Sequence, residues 1–202
     1  MLHLQKEVYE GTVRVDKSIG ENPDKKATRP EEQKSQQLAD REGLIVQEAT
    51  RTKNLVESEG SAVAFAEILT QVVDDMKLVQ KSLNKTDVGL FTQKVELDII
   101  QTLEEMIEAL KKAQQDMKKQ QQGGGGGGGG QPGAQKLIDI LAELKLIRSM
   151  QIKVNKRTED YGQRYTGEQA DQPEIKGELK NLADRQDKIK NIVRDIATGK
   201  NQ

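Results

Sequence analysis

A few groups of residues in this chain have the types and spacing to do chemistry. Asp74 with Asp75, and Glu104 with Glu105 and Glu108, could hold cations or divide the work of acid and base. His3 is the only histidine, so a Ser-His-Asp triad or a multi-histidine metal site would need ligands from a partner. A di-iron bundle asks for Glu-x-x-His on two helices, which one histidine cannot supply. Lys153, Lys156 and Arg157 form a small basic cluster that could touch phosphates or an acidic partner. The glycines Gly123 to Gly130 lack the Lys and the Ser or Thr that would close a phosphate-cradling loop. Asn84-Lys85-Thr86 fits a glycosylation sequon, a three-residue pattern that chance supplies.

Against each of these stands a plainer reading. With 32% of residues charged, acidic clusters are the solvated faces of helices, and His3 sits on a terminal surface. No catalytic residue, cofactor ligand or metal ligand is assigned, and the expectation is a protein that is not an enzyme and carries no cofactor. An enzyme would call for a concave pocket holding two strongly perturbed carboxylates. Nucleic acid binding through the basic cluster is the alternative function, and it would show steeply salt-dependent affinity. The 32 basic residues nearly balance 33 acidic ones, so no net field draws a polyanion or a charged membrane.

The elements that must position these residues are helices. Only 34% of the 202 residues are hydrophobic and 2% aromatic, which rules against a large globular core. The Ala, Glu, Lys, Leu and Gln content is that of long helices or coiled coils. There is no cysteine, so disulfides and thiolate chemistry are absent and either redox compartment is open. The N-terminus has no basic region followed by an apolar run, and no stretch of ~18 apolar residues could span a bilayer. The expectation is a soluble chain with no membrane-spanning segment.

Along the chain, the spacing of Val8, Thr12 and Val15 predicts a first helix over about 2–19, stopped by Gly20, Asn22 and Pro23. Pro30 with Glu31 and Glu32 suits the first turn of a second, long helix running to a break at Gly60. Val63, Phe65, Leu69, Val72, Val73, Met76 and Val79 make the broadest apolar face, from Ala62 to about Leu83. After a turn at Asn84 to Asp87, Ile99, Leu103, Met106, Leu110, Ala113 and Met117 follow a heptad seam, and the pair is expected to pack as an antiparallel central hairpin. The polyglycine run with Gln131, Pro132 and Gly133 is a tether spanning ~18 Å. Beyond it Leu137, Ile140, Leu144, Ile147, Gln151, Val154, Thr158 and Tyr161 form another seam, and a last helix starts near Pro173.

The two ends look like copies of one motif. Gln5, Val8 and Thr12 recur as Gln151, Val154 and Thr158, and Leu38 to Arg41 recurs as Leu182 to Arg185, at intervals of 33 and 31 positions. The second copy has about fifteen helical residues before its block and the first has three, an asymmetry that points to a chain beginning inside a longer one.

The run from Asp98 to Ala113, a Gln and Gly tract, and the run from Leu141 to Thr158 together resemble uncharacterised helical proteins of planctomycete-type bacteria. The resemblance spans most of the chain from about Gly60 onward and carries no established activity. It implies an envelope or periplasmic setting. The expected architecture is all-α, an elongated bundle of about five helices in coiled-coil hairpins. Its parts are a first arm over 1–52, a central hairpin over 53–122, a linker over 123–134 and a second arm over 135–202. The expected role is a scaffold or protein-interaction module that meets a partner or another copy through Gln5, Val8, Thr12, Leu144, Ile147, Gln151, Val154 and Thr158.

Overall fold

The computed structural model describes residues 1–59, 63–122 and 132–198. Among them it shows six helices and no strand: α1 Leu2–Glu21, α2 Arg29–Glu59, α3 Val63–Asn84, α4 Leu90–Gln122, α5 Pro132–Gly162 and α6 Pro173–Ala197. The count is thus six where about five were expected. The predicted break at Gly60 and the glycine tether over Gly123 to Gly130 lie outside the described residues, as do the side chains of Ala113, Met117, Leu137 and Ile140.

Local chemistry fixes the ends. Thr28 precedes α2, its carbonyl accepts from the Glu32 N–H, and its own N–H donates to Glu31 at 2.7 Å. This is the backward reach of a capping box, and it satisfies a donor that the first helical turn leaves open. Between α3 and α4 the chain turns through Thr86 in the left-handed region, φ 57°. There the Asp87 N–H bonds the Ser82 carbonyl, and Thr92 donates to the Asp87 carbonyl. At α6, Pro173 takes the first position, where no donor is needed.

The chain packs as two units, Met1–Glu104 and Glu105–Gln202. The first holds α1, α2, α3 and the first part of α4, so the stretch read as an arm shares its core with the stretch read as a central hairpin. Residue pairs give the directions. Gln5 meets Glu42 and Ser18 meets Glu31, so α1 runs antiparallel to α2. Lys6 meets Glu104, Thr12 meets Glu96 and Asp16 meets Gln93, so α1 is antiparallel to α4 as well. Ser35 donates to the Leu83 carbonyl while Gly43, two turns on, lies against Gln80, which sets α2 antiparallel to α3. The result is an up-down-up-down helical bundle. The closest packing in the unit is that of α2 on α3.

Two glycines sit where helices approach closely. A Cβ at Gly11 would lie 2.5 Å from a Leu38 methyl, in a side chain buried in the core. A Cβ at Gly43 would meet the Gln80 amide nitrogen, also at 2.5 Å, but that is the tip of a long side chain able to swing aside. Alanine in place of a helical glycine gains ~1 kcal/mol. Gly43→Ala is therefore expected to stabilise by up to ~1 kcal/mol, while Gly11→Ala destabilises by ~1–3 kcal/mol through overpacking. Urea unfolding of the two variants checks the order, and a Gly11→Ala protein more stable than Gly43→Ala would refute the close contact.

Candidate functional site

α2 carries a seam at Ser35, Leu38, Glu42, Ile45 and Ala49, spaced by three and four residues and all buried. α4 carries Thr92, Val95, Glu96, Ile99 and Leu103 on its inner face. In each case a glutamate occupies an inward position among apolar residues. Glu42 and Glu96 are both 0% exposed, and so are Gln5 and Thr12, the polar residues of α1 that face them. Gln5 Nε2 donates to Glu42 Oε2 at 3.1 Å, and Thr12 Oγ1 lies 2.7 Å from Glu96 Oε1. The core of unit 1 thus contains a polar layer made by α1, α2 and α4.

Taking a carboxylate out of water disfavours its charge. Burial, joined by the charge of Glu96 and opposed by the hydrogen bond from Gln5, pushes Glu42 up to about 8. Burial pushes Glu96 up to about 8 against the hydrogen bond from Thr12. Glu31, at the start of α2, moves the other way. Hydrogen bonds from Ser18 and the Thr28 N–H, joined by Asn22 and the Thr28 hydroxyl, outweigh its burial and hold it down at about 2.

Two strongly perturbed carboxyls are what an enzymatic reading would require, but they are sealed in the core. The cavity of about 280 Å³ in the loop between α5 and α6, lined by Gln163, Arg164, Tyr165, Thr166, Asp171 and Gln172, holds neither. No group of three or more His, Asp or Glu side chains among the described residues is placed to hold a metal. No helix among them is long and apolar enough to cross a membrane.

The acidic clusters read from the sequence lie elsewhere. Asp74 is exposed beside Lys77, and Asp75 is buried. Glu104 pairs with Lys6 at 2.6 Å. Glu105 accepts from Ser149 at 2.6 Å and from Lys153 at 3.3 Å, joining α4 to α5 within unit 2. His3 is exposed beside Glu7. Of the basic cluster, Lys153 is held by Glu105 and Arg157 is buried, so Lys156 is the member turned outward.

The repeated seams are used differently. In α1, Gln5, Val8 and Thr12 are all inside the bundle, so no partner can reach them while it is closed. In α5, Ile147 and Val154 are buried, but Met150 and Arg157 take the inward positions expected for Gln151 and Thr158. Gln151 is half-buried and Thr158 exposed, while Leu144 is 39% exposed. Gln151 exchanges two hydrogen bonds with Gln186 of α6, at 2.6 and 2.7 Å. The arginine stem, with its methylenes, can line an apolar seam.

No family model, curated protein or solved structure matches the chain.

The acids define a pH dependence. Between about pH 4.5 and 8 the folded chain holds protons on Glu42 and Glu96 that the unfolded chain has lost, so stability falls as pH rises through that window. Glu31 contributes stability above pH 4.5 that is lost as pH falls towards 2. Glu42→Gln removes one charge and keeps the donor and acceptor shape. It is expected to leave the stability read from urea unfolding near pH 5 little changed and to raise it at pH 8 by on the order of a few kcal/mol. A wild-type midpoint that climbs from pH 5 to 8 would contradict this account.

Proposed function

We propose that the chain is a non-enzymatic helical scaffold or protein-interaction module whose docking face lies on α5. The observation that carries this reading is the outward row of that helix. Leu144 is 39% and Ile152 54% exposed, two turns apart on one face, with Arg148 exposed between them. A helix that buries one seam and leaves apolar side chains in a second row gains stability when another helix covers that row. The α1 seam supports the reading only if the first bundle opens, because Gln5, Val8 and Thr12 are satisfied internally.

A duplication relating α1–α2 to α5–α6, with a glycine tether before the second copy, belongs to the same proposal. It rests on the paired Gln, Val and Thr and the repeated Leu-Ala-Asp-Arg. The envelope setting implied by the resemblance belongs there too.

The first partner to test is a second copy of this chain. Light scattering on a size-exclusion column across a concentration series is expected to give a mass that rises above 22.5 kDa. Leu144→Glu with Ile152→Glu should return it to the monomer value, with stability changed by less than ~0.5 kcal/mol because both sites are on the surface. A concentration-independent monomer would leave self-association without support. Unaltered association in the double variant would move the face off α5.

A further inference from the structure

The polar layer of unit 1 has too few hydrogens when both acids are ionised. Thr12 has one hydroxyl hydrogen, and when it goes to Glu96 Oε1 at 2.7 Å the second oxygen, Oε2, stays a buried acceptor with no donor among the described residues, while the Val8 carbonyl at 3.1 Å is already served by the helix ladder. A hydrogen on Glu96 removes the charge: the acid donates to Thr12, and Thr12 donates to the Val8 carbonyl. The second half of the layer has the same deficit. Gln5 gives its N–H to Glu42 Oε2, which leaves Gln5 Oε1 and Glu42 Oε1 as buried acceptors with no donor among the described residues. One hydrogen on Glu42 Oε1 can serve both, because a neutral acid and a primary amide close a ring of two hydrogen bonds.

We propose that the closed bundle holds one proton on Glu42, donated to Gln5, and one on Glu96, donated to Thr12, and that loss of both protons to base in solvent releases α1 from α2 and α4. Deprotonation of Glu42 sets its Oε1 against the Gln5 carbonyl oxygen, deprotonation of Glu96 leaves a charged group whose Oε2 has no donor among the described residues, and together the two steps leave two negative charges in a dry core. Among the described residues no cation pairs with either carboxyl. α1 presents the uncharged Gln5 and Thr12, and its nearby Lys6 is engaged by Glu104 at 2.6 Å. α2 presents Glu42 and α4 presents Glu96; the other buried acids of these helices and of α3 are Glu31, Asp75 and Asp98. The influences on the two carboxyls are burial, their neighbouring hydrogen bonds and, for Glu42, the negative charge of Glu96. α1 is the element that yields, since it packs less closely on α2 than α2 and α3 pack on one another. Its departure admits water to both carboxylates and uncovers Val8, Val15 and Leu38.

Hydrogen exchange followed by mass spectrometry on the full chain tests this at pH 6 and pH 9, with rates corrected for the chemistry of exchange. Exchange across residues 2–21 is expected to speed by about tenfold or more at pH 9, with α2 and α3 retaining protection. The variant carrying both Glu42→Gln and Glu96→Gln should keep α1 protected at both pH values. Equal protection of α1 in the wild type at pH 6 and 9 would overturn the proposal. So would closure of the alkaline form by added potassium, magnesium or calcium, since the open oxygens would then be cation ligands. Should the double variant fail to fold, calorimetric refolding of the wild type at pH 6.5 in buffers of different ionisation enthalpy decides the matter. Uptake of about two protons per chain supports the lock, and uptake near zero rejects it.

Discussion

Two carboxyls at inward positions of different helices constrain how unit 1 can assemble. An uncompensated charge in such a place would cost far more than the ~1.5–3 kcal/mol that burying one apolar side chain returns. The bundle therefore needs a helix that covers Glu42 and Glu96 and supplies polar partners at matching heights. α1 does this with Gln5 and Thr12, two turns apart on one face with Val8 between them. Register follows, because sliding α1 by one turn would set Val8 against a carboxyl and strand both polar residues.

The remaining contacts of α1 hold that register from either end. At Gly11, beside Thr12, the absent side chain lets the helix settle onto Leu38. At the turn, Glu31 gathers hydrogen bonds from Ser18, Asn22 and Thr28, so an ionised acid closes the connection while neutral acids line the interior. Residues of one type thus take opposite charge states a few turns apart. Solvation and donor count make the difference.

Much of the helical plan was legible in the sequence. The proline at the start of α2, the apolar face over Ala62 to Leu83 and the stop after Ile19 all mark ends seen in the fold, though α1 continues to Glu21. The inward face of α1 was legible too, since Gln5, Val8 and Thr12 keep the seam spacing. What they meet was not, because a period says which face turns inward but nothing about the residue opposite. Glu42 and Glu96 were not singled out, although both fall in step with buried neighbours, Leu38 and Ile45 in one case and Thr92 and Ile99 in the other. An acid in seam phase was the available signal. In α5 one half of the seam was legible, Ile147, Val154 and Tyr161 being buried, while at the alternate steps Met150 and Arg157 turn inward in place of Gln151 and Thr158.

The reciprocal pair between Gln151 and Gln186 has the ring shape inferred for Gln5 and Glu42, but both of its members are amides. Amides neither gain nor lose a proton across the range in which carboxyls ionise. The contact that aligns α5 with α6 is accordingly blind to acidity. One chain thus holds two seams of similar spelling, one whose fastening varies with the medium and one whose fastening stays constant.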